Sequence, residues 1–335
     1  MARVVIVGGG VIGCAVAERL SLGHHHVTLL ERDQLGCRAS GAAAGELSPF
    51  GSSETMASRS LTMFPELVAR IERDSGIVVE YHMREALQPA LDDNDIARLK
   101  PGASAWLDGD ECRRLEPSLA PEALGAVLLR EGHITPPRFV RALARAAASR
   151  GADIREGAPA TGFDVAGGMV RRVMSPAGPF EADWVVIAAG PWSKAVAASA
   201  GASVEVRPQR GQLAALNAGT TVLTRTIFWS SGYLVPKPDG SIIVGGTEED
   251  SGFDDRPTAA GVAALLQLAS RLVPDLGSAV VERVWAGLRP ITADGTPVVG
   301  VVGPANLIAA AGHGRKGILL APLAAETVSD LIKKS

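Results

Sequence analysis

Gly8, Gly10 and Gly13 stand in the run Val4-Val5-Ile6-Val7-Gly8-Gly9-Gly10-Val11-Ile12-Gly13, and Glu31 closes the next apolar run, Val27-Thr28-Leu29-Leu30. A β-branched run precedes the glycines, a helical pattern follows them, and the acid lies 18 residues beyond Gly13. That order is the strand–turn–helix–strand fingerprint of dinucleotide binding. Gly8 permits the tight turn out of the strand. Gly10 lacks a Cβ, so a pyrophosphate can approach the backbone. Gly13 lets the helix pack closely on the sheet. The helix N-terminus offers N–H groups and partial positive charge to phosphates. Glu31 suits ribose hydroxyls and repels a 2′-phosphate. NAD and FAD both satisfy the pattern; a glycine-rich turn in an unrelated α/β protein is the other reading.

The elements that must position these residues follow from the rest of the chain. Its 335 residues are enough for a large core and two closely linked domains. The apolar fraction of 47% suits a well-buried globular protein, and a net charge of −3 gives no electrostatic case for nucleic acid or an acidic membrane. No apolar stretch reaches membrane-spanning length, and the strand at the N-terminus leaves no room for a signal peptide. Cys14, Cys37 and Cys112 have no Cys-x-x-Cys spacing, which argues against a disulfide framework or zinc and suits a reducing cytoplasm. His24, His25 and His26 are consecutive and share no face, so they read as a solvated turn rather than a metal site.

After Glu31 a small-residue loop, 36–45, lets backbone approach a flat ligand. A helical pattern covers roughly 56–75. Ile77 to Tyr81 and Ala86 to Leu91 read as strands, and 92–118 reads as a charged, Pro-broken, solvated peripheral segment. Thr135-Pro136-Pro137 starts a helix through Arg150. Short strands follow near 152–155, 169–174 and 184–188. Val204 to Val244 suggests a largely antiparallel sheet, with a helix near 258–273 and a strand near 279–288 after it. The last elements are a strand from Leu307 to Ala310, a glycine-rich turn at 312–317 and a helix from Ile318 to Ile332. The fold class is therefore α/β: a discontinuous Rossmann-like nucleotide domain (1–76, 134–203 and 286–335) with a second, largely antiparallel β-sheet domain (77–133 and 204–285). Without a flexible linker, the two should share a broad interface.

Further motifs carry a resemblance. Val185-Val186-Ile187-Ala188-Ala189-Gly190-Pro191-Trp192 resembles the second nucleotide-contact strand of FAD-dependent amine oxidases. Four more segments are similar to the glycine oxidase family of thiamine biosynthesis, within the D-amino-acid oxidase superfamily: Tyr233-Leu234-Val235-Pro236, Val244 to Asp250, Trp285 to Gly295, and Gly312 to Pro322. The resemblance runs from about residue 3 to 332. It implies non-covalent FAD, since no cysteine is placed for a covalent flavin link. It implies oxidation of the Cα–N bond of glycine, sarcosine or small D-amino acids by hydride transfer to the flavin. O2 is then reduced to H2O2, and the imine hydrolyses to a 2-oxo acid and ammonia or amine. The flavin carries the hard chemistry and the protein supplies orientation and electrostatics.

By resemblance Arg289 anchors the substrate carboxylate, a task its planar, always-charged fork suits. A surface or interdomain ion pair is the alternative for it. Tyr233 donates its phenol to the same carboxylate, or else is a half-buried sheet tyrosine. Arg315 stands at the flavin edge and helps to hold the substrate. Val11, Ile12, Glu31, Arg32, Ala39, Ser40, Ala44, Gly45, Glu46 and Ala160 are implied FAD contacts. So are Ala189, Gly190 and Trp192, and the turn His313, Gly314, Arg315, Lys316 and Gly317 with Ile318 and Leu319, whose amides would face the flavin edge that gains charge on reduction. Glu46 and Glu248 depart from the family, some members having Met at both places. Facing substrate they would favour a cationic amine; otherwise they turn to solvent or pair with Arg. The aromatic screen expected near the amine is missing, Ser230-Ser231 standing there instead. A dehydrogenase using another electron acceptor and a catalytically silent flavoprotein remain alternatives. Partners are a small amino acid and O2, and a homo-oligomer is implied because the family often forms tetramers.

Overall fold

The computed structural model describes residues 1–50, 54–219 and 223–333. The chain divides into two units. The first comprises Met1–Tyr81, Ile134–Gln209 and Leu288–Ser335; the second comprises His82–His133 and Arg210–Gly287.

The first unit is built on a six-stranded sheet. Its order is Val298–Val301, Leu307–Ala311, Trp184–Ile187, Arg3–Val7, His26–Leu30, Asp153–Arg155. All neighbours pair in parallel except the first two, which are antiparallel. Val4 to Val7 and Val185 to Ile187 are buried along their whole length, as strands covered on both faces require. One face packs on the helices Val11–Leu22, Pro136–Ser149 and Gly317–Lys333 through Val16, Leu20, Phe139, Leu143, Leu319 and Val328. The other face packs Val5, Val7, Val185 and Ile187 against Val170, Val173 and Ala197. Those residues come from the helix Ser193–Ala198 and a small sheet of Gly162–Ala166, Met169–Met174 and Phe180–Glu181. Glu18, buried in the first helix, receives Arg70 at 2.9 Å and Arg150 at 3.2 Å, so the charge is compensated inside the layer.

The second unit is mainly a sheet. Arg207–Asn217, Ser241–Gly245, Gly232–Pro236 and Thr226–Trp229 follow one another as antiparallel neighbours. Thr226–Trp229 then pairs in parallel with His82–Ala90, which pairs antiparallel with Gly125–His133. Helix Ala259–Leu272 covers one face, placing Leu265, Ala269 and Leu272 with Leu216, Leu234 and Val244.

Three local expectations are corrected. The helical stretch at 56–75 is two helices, Glu54–Thr62 and Phe64–Ser75, because Pro65 starts a new helix after Met63. Residues 77–81 form no strand. The Val79 N–H donates to Glu72 Oε1, the Val79 carbonyl accepts from Thr135, and Glu80 is left-handed, so pairing begins only at His82. The segment 92–118 is structured rather than merely solvated. It contains helices Asp93–Leu99 and Gly109–Leu115 and the strand Trp106–Asp108, and it buries Cys112 and Glu116. Asp92 caps the first helix, and Asp108 with Glu111 forms a capping box on the second.

The histidine run is the turn between the first helix and second strand. His24 is left-handed, His25 Nδ1 accepts from the Ala2 N–H, and His26 starts the strand. Among the described residues no cluster of His, Cys, Asp and Glu could hold a metal ion, and no helix is long and apolar enough to cross a membrane.

Candidate cofactor and substrate site

The glycine loop joins the strand Arg3–Val7 to the helix Val11–Leu22. Gly8 has φ +113, and a Cβ there would overlap the Ala188 carbonyl of the neighbouring strand's end. A Cβ on Gly13 would overlap the Gly8 carbonyl, so the helix's first turn lies directly on the loop. Gly9, to which the spacing assigns no role, is crowded by side chains rather than by backbone. A side chain there would meet Leu35 at 2.6 Å and Glu31 at 2.8 Å, and its N–H donates to Glu31 Oε2 at 2.6 Å. Gly10 has room: its nearest neighbour is Ser40 Oγ at 3.4 Å from a Cβ position. The Val11 N–H donates to that Ser40 oxygen. The amides of Ile12 and Gly13 have no acceptor within the helix, as helix geometry dictates. Glu31 also accepts from the Asp33 N–H, which fixes the carboxylate beside the loop with lone pairs to spare for hydroxyl donors.

The second contact segment abuts the first. The Ala188 N–H donates to the Val7 carbonyl; Ala189 follows, and Gly190 takes φ +55 with nothing within 4 Å of a Cβ position. Arg32 lies over the Trp192 ring at 3.9 Å, and Arg38 is 6.0 Å from it. Asp33 joins both guanidiniums, and Arg38 first, then Arg32, hold its carboxyl below the usual range. Ala158 and Gly157 donate to the Glu31 and Asp33 carbonyls, which brings the chain to the half-buried Ala160. Ala39 and Ser40 belong to the short helix Ala39–Ala42. In the small-residue loop, Gly41 accommodates the Gly36 carbonyl and Gly45 that of Ile134. These two glycines thus serve close packing of the chain on itself, with Ala44 buried between them and the half-buried Glu46 following.

The C-terminal motif is a third element of the same unit. Gly312 is left-handed, and a side chain there would strike Thr292 at 2.6 Å. Ile291 and His313 form an antiparallel bridge. Arg289 is two residues upstream of Ile291, so both project to the same side of their strand. The strand carrying Arg289 is thereby tied to the turn carrying Arg315. Gly314–Lys316 is a single 3-10 turn leading into helix Gly317–Lys333, whose first residues include Ile318 and Leu319. Arg315 is exposed, and Lys316 Nζ donates to the Phe50 carbonyl at 2.7 Å. His313 is buried, and neither ring nitrogen has a partner among the described residues. Burial pushes its pKa down to about 4, so the ring is neutral at neutral pH.

In the second unit Tyr233 is buried opposite Gly245. Glu248 is exposed, between residues fixed from behind. Thr247 accepts from the Gln212 N–H and donates to Glu249, which also takes Arg210. Arg289, Arg315 and Glu46 belong to the first unit, and Tyr233 and Glu248 to the second.

These residues fit FAD. The open backbone at Gly10 and Gly190, the acid at Glu31, the helix N-terminus at Gly317 and the orphaned imidazole of His313 are a set of donors, acceptors and space for an elongated dinucleotide. Residues 3–331 match the FAD dependent oxidoreductase family, and the chain belongs to it. A glycine oxidase of Bacillus licheniformis is 34% identical over 98% of this chain and 92% of its own length. The bifunctional protein ThiO/ThiG of Synechocystis is 36% identical, matching 98% of this chain and 51% of that protein. The crystal structure of glycine oxidase from Geobacillus kaustophilus superposes with a TM-score of 0.93 at 33% identity, covering 100% of this chain and 96% of that one. This protein is an FAD-dependent amino-acid oxidase.

Proposed function

We propose that the protein deaminates glycine, sarcosine or small D-amino acids oxidatively, and that it serves thiazole formation in thiamine biosynthesis. For glycine the overall reaction is glycine, O2 and water to glyoxylate, ammonia and H2O2. Bound FAD supplies the acceptor for the substrate's hydride and carries the electrons to O2. The observation that carries this reading is the bridge between Ile291 and His313, which holds the Arg289 strand against the turn that opens the last helix.

The residues divide the work. Arg289 binds the carboxylate with two parallel charge-assisted hydrogen bonds, and Tyr233 donates a third from its phenol. Fixing the carboxylate orients Cα, so a substrate lacking it is turned over poorly. Gly8, Gly10, Gly13 and Glu31, with Ser40, Arg32 and Trp192, hold the nucleotide end, non-covalently. The amides of Gly317, Ile318 and Leu319 stabilise negative charge gained at the flavin edge. Glu248 is exposed and admits no strong selection for a cationic side chain, whereas Glu46, whose Oε2 is buried, would favour a cationic amine if it faces the substrate. Three cysteines without a pair suit a reducing cytoplasm.

The test is Arg289→Ala in flavin-loaded protein. Truncating a charged bidentate contact costs about 2–5 kcal/mol, so KM for glycine should rise by about 30-fold or more with the flavin spectrum unchanged. A KM within threefold of the parent protein sinks the assignment. Peroxide release from glycine, sarcosine and D-alanine, set against reduction of an artificial dye, tests both the substrates and the use of O2.

A further inference from the structure

We infer that Gly245 is a positioning residue for substrate recognition: its missing side chain is the space in which the Tyr233 phenol is laid. Tyr233 and Gly245 are directly opposite on neighbouring antiparallel strands, with Leu234 opposite Val244 beside them. Opposed residues of such a pair project to one face, with Cβ atoms about 5 Å apart. A tyrosine facing a residue with a side chain stands beside it. Facing glycine, it can lie across the partner strand, and Tyr233 does so. A Cβ built on Gly245 would be 2.5 Å from Cε2, Cζ and the hydroxyl oxygen of Tyr233, and those are its three nearest atoms.

Gly245 is outside the left-handed region that excludes side chains, unlike Gly8 or Gly312. On its other flank it is paired with Leu213, in ordinary antiparallel register. What a side chain at 245 would meet is the aromatic ring, and the collision is with the end of the ring that carries the hydroxyl. Both residues are buried, so the ring cannot swing into solvent to escape. Gly245 therefore decides where the hydroxyl is delivered: above the strand Ser241–Gly245 rather than above its own strand. This rests on Tyr233 as a carboxylate donor, and it makes residue 245 a determinant of KM without any contact to substrate.

The experiment compares Tyr233→Phe, Gly245→Ala, Tyr233→Ala and the double variant Tyr233→Ala/Gly245→Ala as FAD-loaded proteins. KM and kcat for glycine are read by peroxide release, with Tm alongside. Tyr233→Phe should raise KM about tenfold, the value of one hydrogen bond to a charged group. Gly245→Ala should raise KM at least as much while kcat stays within threefold. In the Tyr233→Ala background the alanine at 245 should change KM by less than twofold and leave Tm unchanged, because the ring it displaces is gone. A KM within twofold for Gly245→Ala, or an equal effect in both backgrounds, overturns the proposal. If Gly245→Ala does not fold, recovery of folding in the double variant supports the proposal, and failure there overturns it. If Tyr233→Phe leaves KM unchanged, the carboxylate role of Tyr233 is wrong and the inference falls with it; if Tyr233→Phe raises KM and Gly245→Ala does not, the positioning claim alone is overturned.

Discussion

His313 should make the protein's stability fall with acid in a way one substitution removes. The imidazole is buried, both nitrogens are without a partner among the described residues, and burial pushes its pKa down to about 4 from an ordinary 6.5. The unfolded chain therefore binds a proton that the folded chain refuses, so stability rises with pH across this window. The contribution is fully present above pH 6.5, declines as pH falls toward 4, and reaches a floor below it. Each pH unit of difference is worth 1.36 kcal/mol, giving about 2 kcal/mol lost at pH 5 and about 3 kcal/mol at the floor. His133 in the second unit acts in the same direction, since burial, then Lys237 and Arg84, push its pKa down to about 2. A bare acid scan would mix the two. Comparing the native protein with His313→Gln cancels His133 and every carboxylate. Thermal unfolding of the flavin-free protein at pH 7.5 and at pH 5 should show a drop in Tm that is about 3–5 °C larger for the native protein. Equal drops in the two proteins would refute the reasoning, because His313 would then have a protonation partner when folded.

Two further substitutions follow from backbone geometry. Gly13→Ala places a methyl group inside the Gly8 carbonyl, so the loop must open; flavin affinity should weaken at least tenfold, and a yellow protein that keeps its flavin through gel filtration would contradict this. Ser230 has φ +52 in the two-residue turn between Trp229 and Gly232, so Ser230→Gly should raise stability by about 1 kcal/mol in urea unfolding; a loss of stability would show that the serine has a role of its own.

The nucleotide unit was legible because its signals are local. Val4 to Val7 are buried on both faces, and the spacing of Gly8, Gly10, Gly13 and Glu31 reads out a geometry completed within thirty residues. The crowding at Gly9 was not legible, since Leu35 and Glu31 reach it only after the chain has turned back. At 77–81 the apolar residues suggested a strand, but the Glu72 side chain and Thr135 had already claimed the backbone of Val79. At 92–118 charge density hid two capped helices, although Asp108 and Glu111 at the spacing of a capping box were visible signals. The motif at 312–317 was readable as a helix start. The isolation of its histidine was not, because it depends on residues from several distant segments failing to offer a partner. For Gly245, only the cross-strand register could separate a glycine kept for a neighbour's ring from one kept for its own φ angle.

The interleaving of the first unit has a kinetic consequence. The strand Arg3–Val7 has its neighbour His26–Leu30 almost at once, but its other neighbour, Trp184–Ile187, is far along the chain, and the next strand after that, Leu307–Ala311, is farther still. The helix that packs beside the first one, Gly317–Lys333, is translated later again. A nascent chain emerging from the ribosome thus exposes its glycine loop on a hairpin-sized fragment with no core behind it. Closing such long loops before contacts repay them makes folding slow and dependent on protection from aggregation. Flavin capture should accordingly follow translation, and growth under limiting flavin should accumulate complete but unfilled chains rather than truncated ones.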